Sequence, residues 1–494
     1  MRLKKQHGMP ISPVMERLPD LSGLAPADKD TLIRSLCTLV RELQGRLELL
    51  EGENRKLRGQ LSKDSMNSSK PPSSDGLRKK TRSLRSKSER PAGGVSGHPG
   101  HHLKRSDTPD HIINHEPPSH CDTCGRIPEA HGFEARQVFE LPRVKLEVTE
   151  HRAWFARCSC GRRHQAEFPE PLKAAVQYGP RLKAFAVYLH HHHMVPVERT
   201  ADILESLCGV RPAGGTVLNF VEEAASRIEP TWERIGQALR HTPVLDADES
   251  GMRTAGKAWL HVLTNPLLSW LGVHSKRGRE AFDEFGLLPD FDGTLVHDGF
   301  VSYKGCSCRH ALCNAHHLRE LKFEAEENQQ AWAEEMSKLL CPALKDTRNS
   351  PRGLPPDLRQ RIRREYETLI RKGCKLNPPE PPDGWPGKTP RSSTVNLLRR
   401  LEKQADEVLR FTTDPRVPFS NNDAECEVRM PKVKLKVAGT FRTRDGAQHF
   451  CILTLLLLNA QKTGAAPARL PRRRSRRRRS CRCTHAVNPS QQRF

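Results

Sequence analysis

"PVLDADESG", residues 243–251, and "GTLVHDGFVSY", residues 293–303, are the stretches on which the fold turns. Each is a short run of β-formers that ends in acid and then glycine. Between them stand "KAWLHVLTN" (257–265) and "LLSWLGVHS" (267–275), two further strand candidates. The first three runs predict a three-strand meander with Asp248 at the end of its first strand. A helix follows from about Gly278 to Phe285, and a fourth strand ends in Asp298. Asp246 lies on the same strand face as Asp248, because side chains alternate with period two, and it rivals Asp248 for one position.

Strand–strand–strand–helix–strand, with acids on the first and fourth strands, is the order of a ribonuclease-H-like mixed sheet. There the first and fourth strands are neighbours, so Asp248 and Asp298 meet at one edge. Adjacent carboxylates without a cation repel, and one pKa rises. A divalent metal removes that penalty. Two metals about 4 Å apart activate a nucleophile and stabilise a leaving oxygen in phosphoryl transfer. Mg²⁺ takes hard oxygen ligands and keeps several waters, so two or three acids suffice.

A third acid is sought on a later helix. Glu425, in "VPFSNNDAECEVRMPKVKLK" (417–436), is the candidate. A local alternative stands beside it. Asn422 followed three residues later by Glu425 has the spacing of a capping box. For all three acids the plain alternative is a solvated strand end or cap. Arg429, Lys432, Lys434 and Lys436 follow Glu425 and suit phosphate contacts, or else form a solvated basic face.

The whole chain has 494 residues, enough for roughly three or four domains. Lys and Arg total 82 against 58 acids, a net charge of +24 that favours a polyanion, with nucleic acid the usual one. The start lacks the apolar run of a secretory signal. "FCILTLLLLNA" (450–460) is too short to span a bilayer and predicts a buried helix. The 15 Cys then read as thiols or metal ligands of an intracellular chain.

Residues 1–61 form an N-terminal helical segment. Ile33, Val40, Leu47, Asn54 and Leu61 fall at heptad position a, and Leu36, Leu43, Leu50 and Leu57 at d. This pattern predicts a parallel two-stranded coil and self-association, against an amphipathic helix lying on its own protein. Residues 62–110 are rich in Ser, Pro, Gly and cations and read as a flexible basic linker. In 111–170, Cys121-x-x-Cys124-Gly and Cys158-x-Cys160-Gly bracket the alternating "QVFELPRVKLEVTEHRAWFARC". That suits a zinc ribbon on Cys121, Cys124, Cys158 and Cys160, with His164 as a substitute ligand and inert thiols as the alternative. Residues 171–240 are helical. They read either as a helix-turn-helix whose second helix opens near Thr216 or as two packed core helices. The histidines at 190–193 read as polar helix surface.

"DES" (248–250), "HDGF" (297–300), "CRHALCNAHHLREL" (308–321) and "FSNNDAECEVRMPKVKLKVAGTFRTRDGAQHF" (419–450) resemble the transposases of the insertion sequence 66 family, which are bacterial DDE recombinases. "NSSKPPSSD" (67–75) and the Cys-rich segment add to the resemblance, which covers roughly 30–464. It implies Asp248, Asp298 and Glu425 as catalytic acids holding Mg²⁺ or Mn²⁺, with Zn²⁺ structural. It implies Cys313 and His316, with Arg319, as a supporting Cys-x-x-His motif, and a core at 241–464 with an insertion at 323–415. The implied activity is cutting double-stranded DNA at the element's ends and joining the freed 3′-OH to target DNA. Implied partners are a second copy and accessory proteins encoded by the same element, in bacterial cytoplasm at the nucleoid and without a membrane. An inactive DNA-binding remnant and a nuclease of the same fold are the other readings.

Two departures stand out. Cys426 occupies the position after Glu425 where the family has Arg, and a thiol makes no bidentate contact. The tail at 465–494 carries ten Arg and no acid, leaving +14 for the rest of the chain. It reads as an out-of-frame ending of the element, or as a basic DNA-binding arm.

Overall fold

The computed structural model describes residues 23, 25–64, 67, 103–116, 119–127, 132–141, 144–170, 172–378 and 392–464. Most of the expected linker and all of the tail at 465–494 lie outside the described residues. Along the chain the first elements are α1 (Pro26–Ser62), β1 (Phe155–Arg157), β2 (Arg163–Gln165), α2 (Pro180–Val187), α3 (Val197–Cys208) and α4 (Gly214–Arg240). Next come β3 (Val244–Arg253), β4 (Lys257–Thr264), β5 (Ser269–His274), α5 (Arg279–Phe285), β6 (Thr294–His297) and β7 (Arg309–Leu312). Helices then dominate: α6 (Asn314–Glu326), α7 (Ala331–Arg348), α8 (Pro356–Leu376), α9 (Ser393–Lys403) and α10 (Ala405–Thr413). The last three are α11 (Asn422–Glu427), α12 (Arg429–Ala438) and α13 (Arg444–Thr463).

The chain divides into two compact units. One comprises Met1–Lys80, Ala315–Lys345 and Pro356–Lys403. In it, Trp332, Met336, Leu340, Tyr366, Leu398 and Leu401 are buried. A Cβ on Gly373 would lie 2.5 Å from Leu398 and 3.0 Å from Trp332, so only glycine lets α8 approach that closely. Along α1 the heptad residues are exposed, Leu43 by 54% and Leu50 by 63%, so its apolar stripe is not spent on its own chain among the described residues. Just past the end of α1, Lys63 Nζ lies 5.0 Å from the centroid of the Phe323 ring.

The other unit comprises Thr81–Asn314, Asp346–Pro355 and Gln404–Phe494 and holds a five-stranded sheet in the order β5-β4-β3-β6-β7. Strands β3, β4 and β5 form the antiparallel meander that the sequence predicts. Strand β6 lies parallel to β3 through Val244–Asp246, and β7 is parallel to β6. Asp248 is not at a strand end, as expected, but in the middle of β3. The strand runs on to Arg253 as half of a hairpin with β4, after its pairing with the short β6 has stopped.

Period-two alternation gives this sheet two buried faces. Leu260, Val262, Leu271 and Val273 pack with Ala424, Val428, Phe450 and Cys451 of α11–α13. Leu245, Ala247 and Leu263 pack on the other side with Leu239, Phe282, Phe291 and Tyr303. Each such Leu or Val stabilises the fold by about 1.5–3 kcal/mol. The apolar run at 450–460 is a buried helix as expected, inside α13, whose start is capped by Thr443 accepting from the Gly446 N–H at 3.0 Å. No described helix is long and apolar enough to cross a membrane.

Two other expectations are corrected here. Residues 137–158 alternate in the way paired strands do, but of the described ones only Phe155–Arg157 forms a strand, β1, and its partner is β2 rather than an earlier part of the stretch. Val138 and Val148 are 88% and 92% exposed, so no facing layer rewards the alternation. The histidines at 190–193 form a polar surface only in part: His193 is exposed, and His190 and His192 are half-buried. His191 lies buried in a π-helical turn, its ring 4.6 Å from that of Phe450. The Thr454 hydroxyl donates to Phe450 O at 2.7 Å and accepts from His191 Nε2 at 3.2 Å. For the possible helix pair, α4 opens at Gly214 and buries Val217, Phe220 and Leu239 within the unit, as packed core helices do.

Burial pushes the His191 pKa down to about 3, so the folded state keeps a neutral ring that the unfolded chain protonates near 6.5. Its contribution is fully present above 6.5 and fades as pH falls towards 3, by at most about 1.4 kcal/mol per pH unit. Urea unfolding of His191→Phe between pH 7 and 4 is therefore expected to show a shallower acid loss than the parent. An identical slope would place the acid sensitivity in other groups.

Candidate functional site

Asp248, Asp298 and Glu425 reach the site from three elements of the sheet-bearing unit. Asp248 is half-buried on β3, on the strand face covered by α11 and α12. Asp298 is exposed directly after β6. Its Oδ1 accepts from the Phe300 N–H at 2.8 Å, and Gly299 takes φ +94°, a turn that a side chain at 299 would strain. Glu425 is half-buried on α11. The expected capping box is absent. Asn421, not Asn422, is the N-cap, and no side chain caps the helix. Instead Asn421 Nδ2 donates to Ala247 O at 3.3 Å, tying the helix start to β3 beside Asp248.

The electrostatics show that these acids share one neighbourhood. The Asp248 pKa is pushed up to about 8, first by burial and then by the negative charges of Glu249, Asp298 and Glu425. No basic residue is among the causes. Carboxylate oxygens converging in this way are hard ligands of the kind that suit a divalent cation.

Two neighbouring acids, Glu249 and Glu427, have internal partners. Glu249 faces away from Asp248 and accepts from Tyr303 Oη at 2.6 Å and from Arg277 Nη2 at 2.7 Å. The Arg277 guanidinium lies 4.0 Å from the Phe300 ring centroid, a cation–π contact. Glu427 is buried and accepts from Thr264 Oγ1 at 2.9 Å and from Lys462 Nζ at 2.7 Å. Asp246 is buried, and burial with the charge of Asp423 holds its carboxyl well above the usual range. His297 is fully buried. Its Nδ1 accepts from the Gly299 N–H at 3.0 Å and its Nε2 donates to His310 Nδ1 at 3.1 Å, bracing the turn that presents Asp298. Local sequence reading misses Arg277, Tyr303, Lys462 and His310, because pairing between side chains far apart in the chain leaves no periodic signal.

The remaining expected residues divide. Cys313 is buried at the end of β7, and its thiol and a Glu425 carboxylate oxygen lie within 4.8 Å. His316 and Arg319 are half-buried on α6. Arg429, Lys432 and Lys436 are exposed along α12, as phosphate contacts require. Lys434 is not: it is buried, and that burial lowers its pKa. The helical period turns it inward while its neighbours face out. Asn422 Nδ2 donates to Cys426 Sγ at 3.6 Å, so the thiol stays within α11.

Cys121–Gly125 and Cys158–Gly161 each close a tight turn on a left-handed glycine. Backbone hydrogen bonds lower the Cys121 and Cys158 pKa values, which favours thiolates. Among the described residues, the clusters of three or more metal-ligating atoms do not include these four thiols. Each pair therefore fits as half of a zinc site, and the halves are not gathered into one.

The raised Asp248 pKa carries a stability prediction. The folded state holds a proton that the unfolded chain loses near 3.8, so this contribution is full below that value and is lost as pH rises through about 8. Asp248→Asn is expected to raise metal-free stability at pH 7 by on the order of 3 kcal/mol, with no gain near pH 4. Thermal melting in a chelator checks this. Equal melting of parent and variant at pH 7 would refute the crowded-carboxylate account.

Residues 175–449 match the family described as "Transposase IS66 family", and residues 16–104 match a family of unknown function (DUF6444). No curated protein matches the chain. The first match takes in more than half of the 494 residues, Asp248, Asp298 and Glu425 included, and the chain therefore belongs to the Transposase IS66 family.

Proposed function

We propose that this transposase cuts double-stranded DNA at the ends of its element and joins the 3′-OH to target DNA, with Asp248, Asp298 and Glu425 holding Mg²⁺ or Mn²⁺. The observation that carries this reading is the convergence of Asp298 and Glu425 on Asp248, whose carboxyl their negative charges help to hold protonated. The strand order β5-β4-β3-β6-β7 supports a ribonuclease-H-like core, with the acids on neighbouring strands and a later helix. A bound divalent cation supplies charge neutralisation and lowers the pKa of water. The chain's own groups present and hold the ligands: the Asp298 turn fixes one carboxylate, and Asn421 fixes the start of α11. Arg429, Lys432 and Lys436 hold phosphates beside the acids without reading bases. The two Cys–Gly turns support Cys121 with Cys124 and Cys158 with Cys160 as ligand pairs for a structural Zn²⁺, and one ion held by all four requires the pairs to close on each other.

Mn²⁺-dependent cleavage of DNA bearing the element's ends, compared with Glu425→Gln, tests the reading. Cleavage is expected to fall by at least 10²-fold in the variant, with DNA binding retained. Equal cleavage would remove Glu425 from the site. Binding without cutting by the parent would favour the inactive remnant, and cutting without joined products the nuclease.

The exposed stripe of α1 supports a parallel two-stranded coil with a second copy. Sedimentation of the full chain is expected to show a dimer that Leu43→Asp with Leu50→Asp reduces to monomer. An unchanged mass would sink the zipper.

A further inference from the structure

We propose that the ion pair of buried Glu427 with half-buried Lys462 is a positioning device that fixes the rotation of α11 and so sets Glu425 against Asp248 and Asp298; this rests on the metal-binding reading above. Helix α11 has six residues and no side-chain cap, so it cannot hold its own orientation. Its start is tied to Ala247 O by Asn421, which is fully buried. Its end is tied by Glu427, whose Oε1 accepts from Thr264, Ser269 and Lys462. Glu425 stands between the two ties.

At about 100° per residue, Glu425 and Glu427 point in nearly opposite directions around the axis. Any roll that freed Glu427 would therefore swing Glu425 away from the strand acids. The anchor is itself rigid. Lys462 Nζ also donates to Asn265 O at 2.7 Å and bonds Thr264 Oγ1. One turn earlier, Asn459 brackets Ser269, accepting from its N–H at 2.7 Å and donating to its C=O at 3.1 Å. Register places Thr264 opposite Asp246, two residues from Asp248. The rotation of α11 is thus referred to the strands that carry the first acid. The lysine also neutralises a carboxylate that would otherwise add to the repulsion around the site.

Mn²⁺ affinity of the full-length chain, read by electron paramagnetic resonance, tests this whether or not the copy cuts DNA. Glu425→Gln, Glu427→Gln, Lys462→Met and Thr264→Val are compared with the parent, with folding followed by near-ultraviolet circular dichroism. Glu427→Gln and Lys462→Met are expected to weaken Mn²⁺ about tenfold, as loss of a ligand-orienting partner does, and to lower kcat with KM for DNA unchanged. Thr264→Val keeps a β-branched strand residue and should weaken Mn²⁺ less, in the same direction. If Glu425→Gln binds Mn²⁺ as the parent does, the metal reading fails and this proposal with it. If Glu425→Gln weakens binding while folded Glu427→Gln and Lys462→Met do not, the positioning role alone is overturned. Should both charge-removing variants unfold, parental affinity in Thr264→Val overturns it.

Discussion

Repulsion among carboxylates is the constraint around which this structure is arranged. Asp248 carries a pKa raised to about 8 because burial and three other acids surround it. Such a cluster is unfavourable to folding on its own, so the scaffold must hold it together. It does so through a strand pair, an Asx turn braced by buried His297, and a helix tied at both ends. Two well-packed faces of the sheet supply the stability that offsets the strain of charge.

The acids fall into two sorts. Glu249 and Glu427 have resident cations, Arg277 and Lys462, and are parts of the frame. Asp298 and Glu425 instead act on Asp248, and these three are the acids proposed as metal ligands. The frame thus neutralises its own charges, and on the proposed reading a divalent cation is drawn to the other three acids. In "DADES" and "DAECE" the two sorts alternate along one strand and one helix, so spacing alone does not separate them.

What the sequence makes legible is what obeys a local rule. The meander, α5, β6 and α13 follow from period-two runs, turn residues and one apolar stretch. The position of Asp248 within β3 was not legible, because strand length depends on a hairpin partner and on where the short β6 stops. The capping box failed because Asn421, one residue earlier, took the cap position and turned its side chain to β3. Lys434 and His191 look like surface charge in the sequence, and neighbouring elements bury them. The three acids themselves were found by residue type and family motif together, since each alone could be a solvated end.

The route of the chain between the second and third acids has a kinetic consequence. Strands β3 to β7 are contiguous, whereas α11 arrives only after α7–α9, which belong to the other compact unit. Closing so long a loop is slow, and contacts of high sequence separation form late. The sheet can therefore assemble with two acids in place, and the repulsion that Glu425 adds is deferred until the hydrophobic layers that oppose it are already packed.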